Sequence, residues 1–312
     1  MRNFAINVEI HLIMSTKNLI YIAGPTAVGK SKLSLGLAKM FNSEILSCDS
    51  RQFYKELSIG TAAPTAEELA EVPHHFVQHK SIHDTYTVGD FEIDAIERLN
   101  TLFEKMDTVI MVGGSGMYAD SVMFGLDKFP KVSDEIRNQL NVFHQTHGIQ
   151  SVQQLLLEKD PKYYRIVDRN NPLRLIRALE ICIASGKPYS SFLGKEREPR
   201  SFVSKMLVLH CPRTILYENI NSRVDEMIEN GLENEVEGLI EHKQMSAMKT
   251  VGYKELFEYF DGKCSKEEAI AEIKKNTRRY AKRQITWFKK YDDAFCFPAN
   301  TPVDQVYDLL IS

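Results

Sequence analysis

LIYIAGPTAVGKSKLSLGLAKMF, residues 19–41, runs from a strand-like segment through a turn into a helix-like segment. Residues 19–23 are an apolar run with the length of a buried strand. The next eight residues match the pattern G-x-x-x-x-G-K-[ST], and apolar residues then recur at helical spacing. This order predicts a phosphate-binding loop (P-loop) at the start of a parallel α/β sheet.

The turn itself is a candidate anion site. Glycines let backbone N–H groups point inward at an anion, and the following helix adds the positive end of its dipole. Lys30 is expected to reach the outer phosphates, while the Ser31 hydroxyl ligates Mg²⁺. A chance match is the alternative, and the flanking strand and helix argue against it. The loop comprises Gly24, Pro25, Thr26, Ala27, Val28, Gly29, Lys30 and Ser31.

Composition sets the class of protein. The 312 residues have room for one large α/β domain and a smaller one, and 43% hydrophobic with 26% charged residues is typical of a globular chain. No apolar run approaches the ~20 residues that span a bilayer, and no secretory cleavage pattern is present, so we expect no membrane association. Five cysteines without a C-x-x-C pair predict reduced thiols in a cytoplasmic protein.

Further strand-like runs predict the domain organisation. They occupy residues 44–48, 109–112 and 206–209 and alternate with helical stretches, which predicts a P-loop parallel sheet flanked by helices. Residues 126–200 are polar, helix-like and interrupted by prolines, and we interpret them as a helical insertion domain. The core domain is then 18–125 and 201–312. Residues 1–17 are expected to be an extension without fixed structure, with Met14 as an alternative start.

One acid stands where ligands bind in α/β folds. Asp49 follows the second strand-like run, and the carboxyl edge of a parallel sheet is where such folds place ligands. A helix cap is the alternative role for this residue. The strand-like run at 109–112 is followed by glycines, not by the Asp that holds Mg²⁺ in many nucleotide-hydrolysing P-loop proteins. His74 and His75 are predicted to be structural, since no metal-ligand partner has suitable spacing.

A basic segment contrasts with the net charge of −3. Residues 274–290 carry eight Lys and Arg residues and no acid. As a helix this segment places Lys275, Arg279, Lys282 and Lys289 near one face, and Ile273, Tyr280 and Trp287 form an apolar strip. A solvated face and a polyanion-binding face both fit, and a neighbouring phosphate site favours the second.

Eight segments in a familiar order resemble the tRNA dimethylallyltransferases, also called tRNA isopentenyltransferases. The resemblance extends from Asn18 to Phe288, and its ordered segments make it far more specific than a P-loop alone. The segments are GPTAVGKS, EILSCDSRQFYKELSIGTAAPT, VPHH, VGGSGMY, NPLRLIRALE, SRVDEMIENGLENEV, KTVGYKEL and TRRYAKRQITWF.

The resemblance implies a prenyl transfer. The P-loop would hold the pyrophosphate of dimethylallyl diphosphate, and the prenyl group would pass to the exocyclic N6 of the adenosine on the 3′ side of the tRNA anticodon. By the same resemblance Asp49 is the base, Arg223 and Lys30 are cations beside the leaving diphosphate, and Mg²⁺ is at Ser31. Ser115 contacts the adenosine and stands where the family usually has Thr.

The resemblance also implies where tRNA binds. The partners would be the anticodon stem-loop of tRNA and dimethylallyl diphosphate, bound by a monomer. The chain resembles the bacterial form of the family, because no Cys/His pairs follow the last segment. The implied tRNA contacts are Asp49, Ser50, Arg51 and Gln52 at the target base, then Ser115, Arg137, Leu173, Arg174, Leu175, Ile176, Arg177, Lys249, Thr250, Val251, Gly252, Tyr253, Lys254, Lys275, Arg279 and Lys282.

Two other functions fit part of this pattern. A small-molecule or nucleotide kinase shares the P-loop, the acid after the second strand and a helical insertion. A non-catalytic P-loop protein that binds RNA would share the basic segment.

Overall fold

The computed structural model describes residues 16–195 and 197–312. The expected N-terminal extension, up to residue 15 and including Met14, lies outside the described residues. The strands are β1 (Asn18–Ala23), β2 (Ile45–Ser47), β3 (His74–His75), β4 (Thr108–Val112), β5 (Val203–His210) and β6 (Phe295–Pro298). They form a parallel sheet in the order β3-β2-β4-β1-β5-β6, which confirms the predicted parallel α/β fold.

Helices connect and flank these strands. They are α1 (Lys30–Met40), α2 (Ala66–Glu71), α3 (Val88–Phe103), α4 (Gly116–Phe124), α5 (Asp134–Lys159), α6 (Pro161–Tyr164), α7 (Pro172–Ser185), α8 (Arg213–Glu229), α9 (Leu232–Glu237), α10 (Tyr253–Phe260), α11 (Lys266–Phe288) and α12 (Val303–Ile311). Short 3₁₀ turns occur at Tyr189–Ser191, Ile240–His242 and Ser246–Lys249. The chain divides into two compact units, of which Gly125–Pro199 is the smaller.

Both faces of the sheet are buried in the larger unit. Leu19 and Tyr21 of β1 belong to a core cluster on one face, while Ile20 and Ile22 belong to a cluster on the other. Successive side chains of a strand point to opposite faces, so a strand buried on both sides is apolar without interruption. This explains the continuous apolar run of β1. A third cluster joins α8, α9, α10 and α11.

Three neighbouring strands end together at one edge of the sheet. Ser47 of β2 and Ile22 of β1 both pair with Val112 of β4. The loops that leave these strands, residues 48–52, 113–116 and 24–29, therefore start side by side. They form the carboxyl edge at which parallel α/β folds bind ligands.

The edge strands differ from the sequence prediction. We predicted no strand at residues 74–75 or 295–298, but His74–His75 pairs with β2 and Phe295–Pro298 pairs with β5. Both strands are short, and β6 is largely exposed. Short segments at a sheet edge bury too little apolar surface to give a strand-like pattern.

The smaller unit is helical and has a core of its own. Leu140, Val152 and Leu156 of α5 pack with Leu175 and Leu179 of α7. Side chains cap the three helices, because Ser133, Asp160 and Asn171 accept hydrogen bonds from the first-turn amides. Gly148, with φ of 75°, interrupts α5.

Candidate active site

A cavity of about 670 Å³ opens at the carboxyl edge of the sheet in the larger unit. Its wall includes Thr26 of the P-loop, Asp49 after β2 and Ser115 after β4. Helices α8 and α11 supply Arg223 and Tyr280. Side chains far apart in the sequence therefore meet in one cavity.

The P-loop has the strained backbone of an anion cradle. Gly24, Ala27 and Gly29 have φ of 144°, 62° and 98°. A Cβ at Gly24 would lie 2.8 Å from the carbonyl oxygen of Leu209, so only glycine fits there. Helix α1 begins directly after Gly29, so its unpaired first-turn N–H groups lie at the loop.

Lys30 lies inside this cradle. Its Nζ donates to the carbonyl oxygen of Pro25 at 2.9 Å. Burial lowers the pKa of Lys30 to about 8, against the opposing effect of Asp49, and the positive charge of Arg223 lowers it further. Lys30 is therefore mainly charged at neutral pH but loses its proton far more readily than an exposed lysine.

Asp49 does not cap a helix. Its Oδ1 accepts a hydrogen bond from the backbone N–H of Arg51 at 3.0 Å, within a turn that follows β2. Its own N–H donates to the Ser47 hydroxyl at 3.3 Å. Within the described residues Oδ2 accepts no hydrogen bond. The turn thus fixes one carboxylate oxygen and leaves the other for a substrate at the cavity wall.

Hydroxyl groups join the loops after β2 and β4. The Ser115 hydroxyl accepts from the backbone N–H of Ser50 at 3.1 Å, and the two hydroxyl oxygens are also 3.1 Å apart. Tyr280 lies near Ser115 and Asp49, where burial and then the Asp49 charge raise its pKa to about 12. Tyr280 therefore stays a neutral phenol beside the carboxylate.

Gln52 holds the loop together. Its Nε2 donates to the carbonyl oxygens of Thr61 and Ala62 at 3.3 and 2.9 Å, and its Oε1 accepts from the Ser47 hydroxyl. Both ends of the amide are thus occupied by protein groups. A donor on the target base could still bind the second lone pair of Oε1, whereas an acceptor would have to replace one of the Nε2 bonds.

Arg223 enters the cavity from α8 without a salt bridge inside the described part of the chain. Burial lowers its pKa, which Glu226 and Glu68 partly counteract. On the same helix, Asn219 donates to the carbonyl oxygen of Ala27 at 3.2 Å and so ties α8 to the P-loop. Lys30 and Arg223 together outnumber Asp49, and this excess of positive charge favours an anionic ligand.

Sequence reasoning missed Gln284, and it assigned Tyr280 only to the apolar strip. Gln284 is buried and forms hydrogen bonds with Thr26 of the P-loop and with Gly114 after β4. The signal that was available is the polar Gln284 four residues after Tyr280 and three before Trp287. These spacings place all three on one helix face.

Comparisons with known proteins identify the relatives of the chain. The family described as IPP transferase matches residues 52–291, which is most of the sequence. The chain belongs to the IPP transferase family. It is 52% identical over 294 residues to the tRNA dimethylallyltransferase of Christiangramia forsetii, with 94% of this chain and 97% of the relative covered.

Solved structures of similar proteins support the same family assignment. The full-length tRNA isopentenylpyrophosphate transferase of Bacillus halodurans is 35% identical, with a TM-score of 0.70 over 95% of this chain and 96% of that one. A eukaryotic dimethylallyltransferase acting on tRNA is 27% identical, with a TM-score of 0.80 over 93% of this chain and 75% of that one. These relatives do not favour the kinase alternative.

In the smaller unit of this IPP transferase, two predicted tRNA contacts share one carboxylate. Arg137 and Arg177 bind opposite oxygens of the buried Glu180, at 3.1 and 2.9 Å. Leu175 and Ile176 are buried in the helical core, so we correct the prediction that their side chains contact tRNA. The surface of residues 173–177 comes instead from Leu173, which is 77% exposed, and from Arg174 and Arg177.

Residues 249–254 are also divided between surface and core. Lys249, Thr250, Val251 and Gly252 line the cavity, and Lys254 is exposed. The Tyr253 side chain is buried, and its hydroxyl donates to Glu235 at 2.5 Å. We therefore correct its place among the tRNA contacts: a buried ring cannot reach RNA.

The basic segment is helical, but α11 ends at Phe288, two residues before the predicted end. Lys275, Arg279, Lys282 and Lys289 are exposed, as predicted for one face. Lys275 also pairs with Glu272 at 2.6 Å on the same helix. We call Lys275, Arg279 and Lys282 the basic face of α11.

The two histidines have structural partners. His75 lies 2.6 Å from the Glu44 carboxylate, and His74 lies 2.8 Å from the Val72 carbonyl oxygen. Across residues 16–195 and 197–312, no group of three or more His, Cys, Asp and Glu side chains could hold a metal ion. None of the helices described is long and apolar enough to cross a membrane.

Proposed function

We propose that this chain transfers the dimethylallyl group of dimethylallyl diphosphate to the exocyclic N6 of the adenosine next to the tRNA anticodon, on its 3′ side. The observation that carries the proposal is a cavity lined by Thr26 of the P-loop, Asp49 and Arg223, with the Lys30 ammonium close enough to feel the charges of Asp49 and Arg223. Two cations suit a diphosphate, and one carboxylate suits a proton acceptor. The names of the relatives supply the substrates.

Asp49 acts as the general base. The exocyclic amine of adenine is a poor nucleophile, so a base must take its proton as the bond from N6 to C1 of the prenyl group forms. The bond from C1 to the diphosphate oxygen breaks in the same step. The Oδ2 atom of Asp49 accepts the proton, because the Arg51 amide occupies Oδ1.

Cations stabilise the leaving diphosphate. Negative charge grows on the diphosphate oxygen as the C1–O bond breaks, and preorganised donors lower the barrier most when they face that charge. Lys30, the P-loop amides and Arg223 supply these donors. Ser115 and the neutral Tyr280, which lie near Asp49, would orient the adenosine.

Mg²⁺ fits this site with few protein ligands. The Ser31 side chain is exposed in the first turn of α1, and the described residues contain no cluster of metal-binding side chains. Mg²⁺ usually keeps several waters and binds substrate phosphates. Ser31 and the diphosphate would therefore hold the ion, which when bound neutralises part of the diphosphate charge.

The tRNA contacts follow from exposure and charge. A base must leave its stack to enter the cavity, and single-stranded loops allow this at modest cost. Arg137, Arg174 and Arg177 of the smaller unit and the basic face of α11 are proposed to bind the anticodon arm. A monomer acting in the cytoplasm, with no membrane partner, completes the proposal.

Radiolabelled dimethylallyl diphosphate incubated with bulk tRNA and Mg²⁺ tests the function. Label is expected in tRNA, together with an equal amount of released diphosphate. ATP-dependent phosphorylation of a metabolite without labelled tRNA would establish a kinase and overturn the proposal. Tight tRNA binding with neither activity would instead show a non-catalytic RNA-binding protein.

A further inference from the structure

Gln284 joins the two loops that are proposed to hold the two substrates. Its Oε1 accepts from the backbone N–H of Thr26 at 2.9 Å, and its Nε2 donates to the carbonyl oxygen of Gly114 at 3.0 Å. One partner is a fixed donor and the other a fixed acceptor, so only one orientation of the amide satisfies both. The side chain is 5% exposed, and water therefore cannot readily replace either bond.

The contact between α11 and residues 113–116 leaves no free space. A Cβ on Gly114 would clash with the Nε2 atom of Gln284, and one on Gly116 would clash with the indole nitrogen of Trp287. The glycines therefore let the helix lie directly against the loop. Tyr280, four residues before Gln284, reaches Ser115 of the same loop.

Gln284 connects the outer parts of these loops. In the described chain, the other hydrogen bonds to residues 113–116 come from β1, from the loop after β2, from the first turn of α4 or from α11 itself, and none joins these residues to residues 24–29. The Gln284 amide is thus the hydrogen-bonded link between the P-loop and the loop that carries Ser115.

We propose that Gln284 is a positioning residue that sets the distance between the diphosphate on the P-loop and the adenosine at Ser115. This inference rests on the proposed function. Transfer requires the reacting atoms to approach within about 3–3.5 Å in line, and a displacement of about 1 Å can cost roughly 10²-fold in rate. Gln284 touches neither reacting atom and acts through the two loops.

The first test replaces Gln284 by methionine. Gln284→Met keeps the length of the side chain and removes both hydrogen bonds. With both substrates saturating, the single-turnover transfer rate should fall by roughly 10- to 100-fold, whereas the Kd for each substrate alone should change little. Thr286→Ala, on the exposed side of the same helix, is the matched control and should transfer at the wild-type rate.

A second variant tests the direction of the two bonds. In Gln284→Glu, the ionised carboxylate still accepts from Thr26 but repels the Gly114 carbonyl oxygen. The protonated carboxyl can donate to Gly114 and accept from Thr26, as the amide does. The ratio of the Gln284→Glu rate to the wild-type rate should therefore rise as the pH falls. Circular dichroism at each pH separates this profile from unfolding: a ratio that changes while the variant stays folded supports positioning, and a change that follows the folded fraction counts against it.

Each outcome decides a separate question. A wild-type rate in Gln284→Met, or a loss explained wholly by weaker substrate binding, would overturn the positioning role. If Gln284→Met does not fold, the pH profile of Gln284→Glu decides, and a constant ratio counts against the role. Failure of the wild-type protein to prenylate tRNA would instead refute the proposed function.

Discussion

Asp49 is the residue whose environment most directly suggests its chemistry. The turn after β2 gives one carboxylate oxygen a backbone partner and leaves the other at the cavity wall. A turn of this kind needs only one carboxylate oxygen, so the second remains available to a substrate. The single free oxygen is what a general base requires.

Asp49→Asn should nearly abolish prenyl transfer. The amide can still accept from the Arg51 N–H, so the turn is kept, but it cannot take the N6 proton. A positioned base contributes about 10²–10⁴-fold, and the single-turnover rate should fall by that range. Binding of dimethylallyl diphosphate should change little. Asp304→Asn, an exposed acid on α12, is the control, and more than about a tenth of the normal rate in Asp49→Asn would exclude the base role.

Lys30 should make diphosphate binding depend on pH. In the free protein its pKa is lowered to about 8, and a bound diphosphate should raise it again. Below about pH 8 the ammonium is charged with or without ligand, so this residue adds no pH dependence. Above that pH, binding must take up a proton, and the affinity for dimethylallyl diphosphate should fall.

Calorimetry in two buffers of different ionisation enthalpy measures that proton. We expect uptake at about pH 8.5 in the wild type and none in Lys30→Met, which should also bind more weakly. Lys30→Arg stays charged over this range, so its affinity should not decline above pH 8. Constant wild-type affinity between about pH 7 and pH 10 would show that Lys30 does not bind the diphosphate.

At the scale of elements, α11 has two different sides. One side, with Tyr280 and Gln284, closes the cavity, and the other carries the basic face. Because the two sides of the helix differ in polarity, one side can pack against the cavity while the other binds a polyanion. The two roles can therefore be separated by mutation.

Replacing Lys275, Arg279 and Lys282 by Ala should weaken tRNA binding and flatten its salt dependence. Each phosphate that no longer pairs with a cation should reduce the log–log slope by ~0.7 on single-stranded RNA. Turnover at saturating tRNA should stay near normal. The measurement is a salt titration of tRNA affinity, and an unchanged slope would show that this face only contacts solvent.

Arg223→Ala is the matched variant on α8. Its side chain is proposed to face the departing diphosphate, so the single-turnover rate should fall while the tRNA affinity and its salt slope are retained. A normal rate would limit Arg223 to a structural role.

The sequence predicts some strands and site residues of this molecule but not others. The strands β1, β2, β4 and β5 were predicted because buried parallel strands are continuous apolar runs. The edge strands β3 and β6 lack that signal. Tyr280 and Gln284 could not be placed at the cavity from sequence, since their position depends on how α11 packs against glycines of another loop. The burial of Leu175 depends likewise on packing against α5.

At the scale of the whole molecule, the smaller unit is inserted between adjacent points of the larger one. The chain leaves after Phe124, and Arg200, where it returns, donates to the carbonyl oxygens of Ser121 and Val122 at 2.6 and 2.9 Å. Arg200 also pairs with Glu92 at 2.5 Å. Each unit has separate core clusters, so the larger unit does not need the smaller one to bury its apolar residues.

Replacing residues 126–198 by a short Gly/Ser linker should affect the binding of the two substrates differently. The affinity for dimethylallyl diphosphate should be retained, because every cavity residue belongs to the larger unit. The affinity for tRNA should fall by roughly tenfold or more, a loss of about 1.4 kcal/mol or more. Equilibrium binding of both ligands measures this. An unchanged tRNA affinity would show that the larger unit carries the tRNA contacts alone.

The link from Gln284 to Thr26 spans 258 residues, and this separation bears on how the enzyme is made in the cell. A ribosome adds about 5–20 residues per second, so roughly 13 to 50 s pass between synthesis of the P-loop and of its partner on α11. Throughout that interval the nascent chain holds a P-loop without the helix that aligns it. Premature termination before α11 would release a product that contains Lys30, Asp49 and Arg223 but lacks Gln284, so activity is expected only after α11 has been translated.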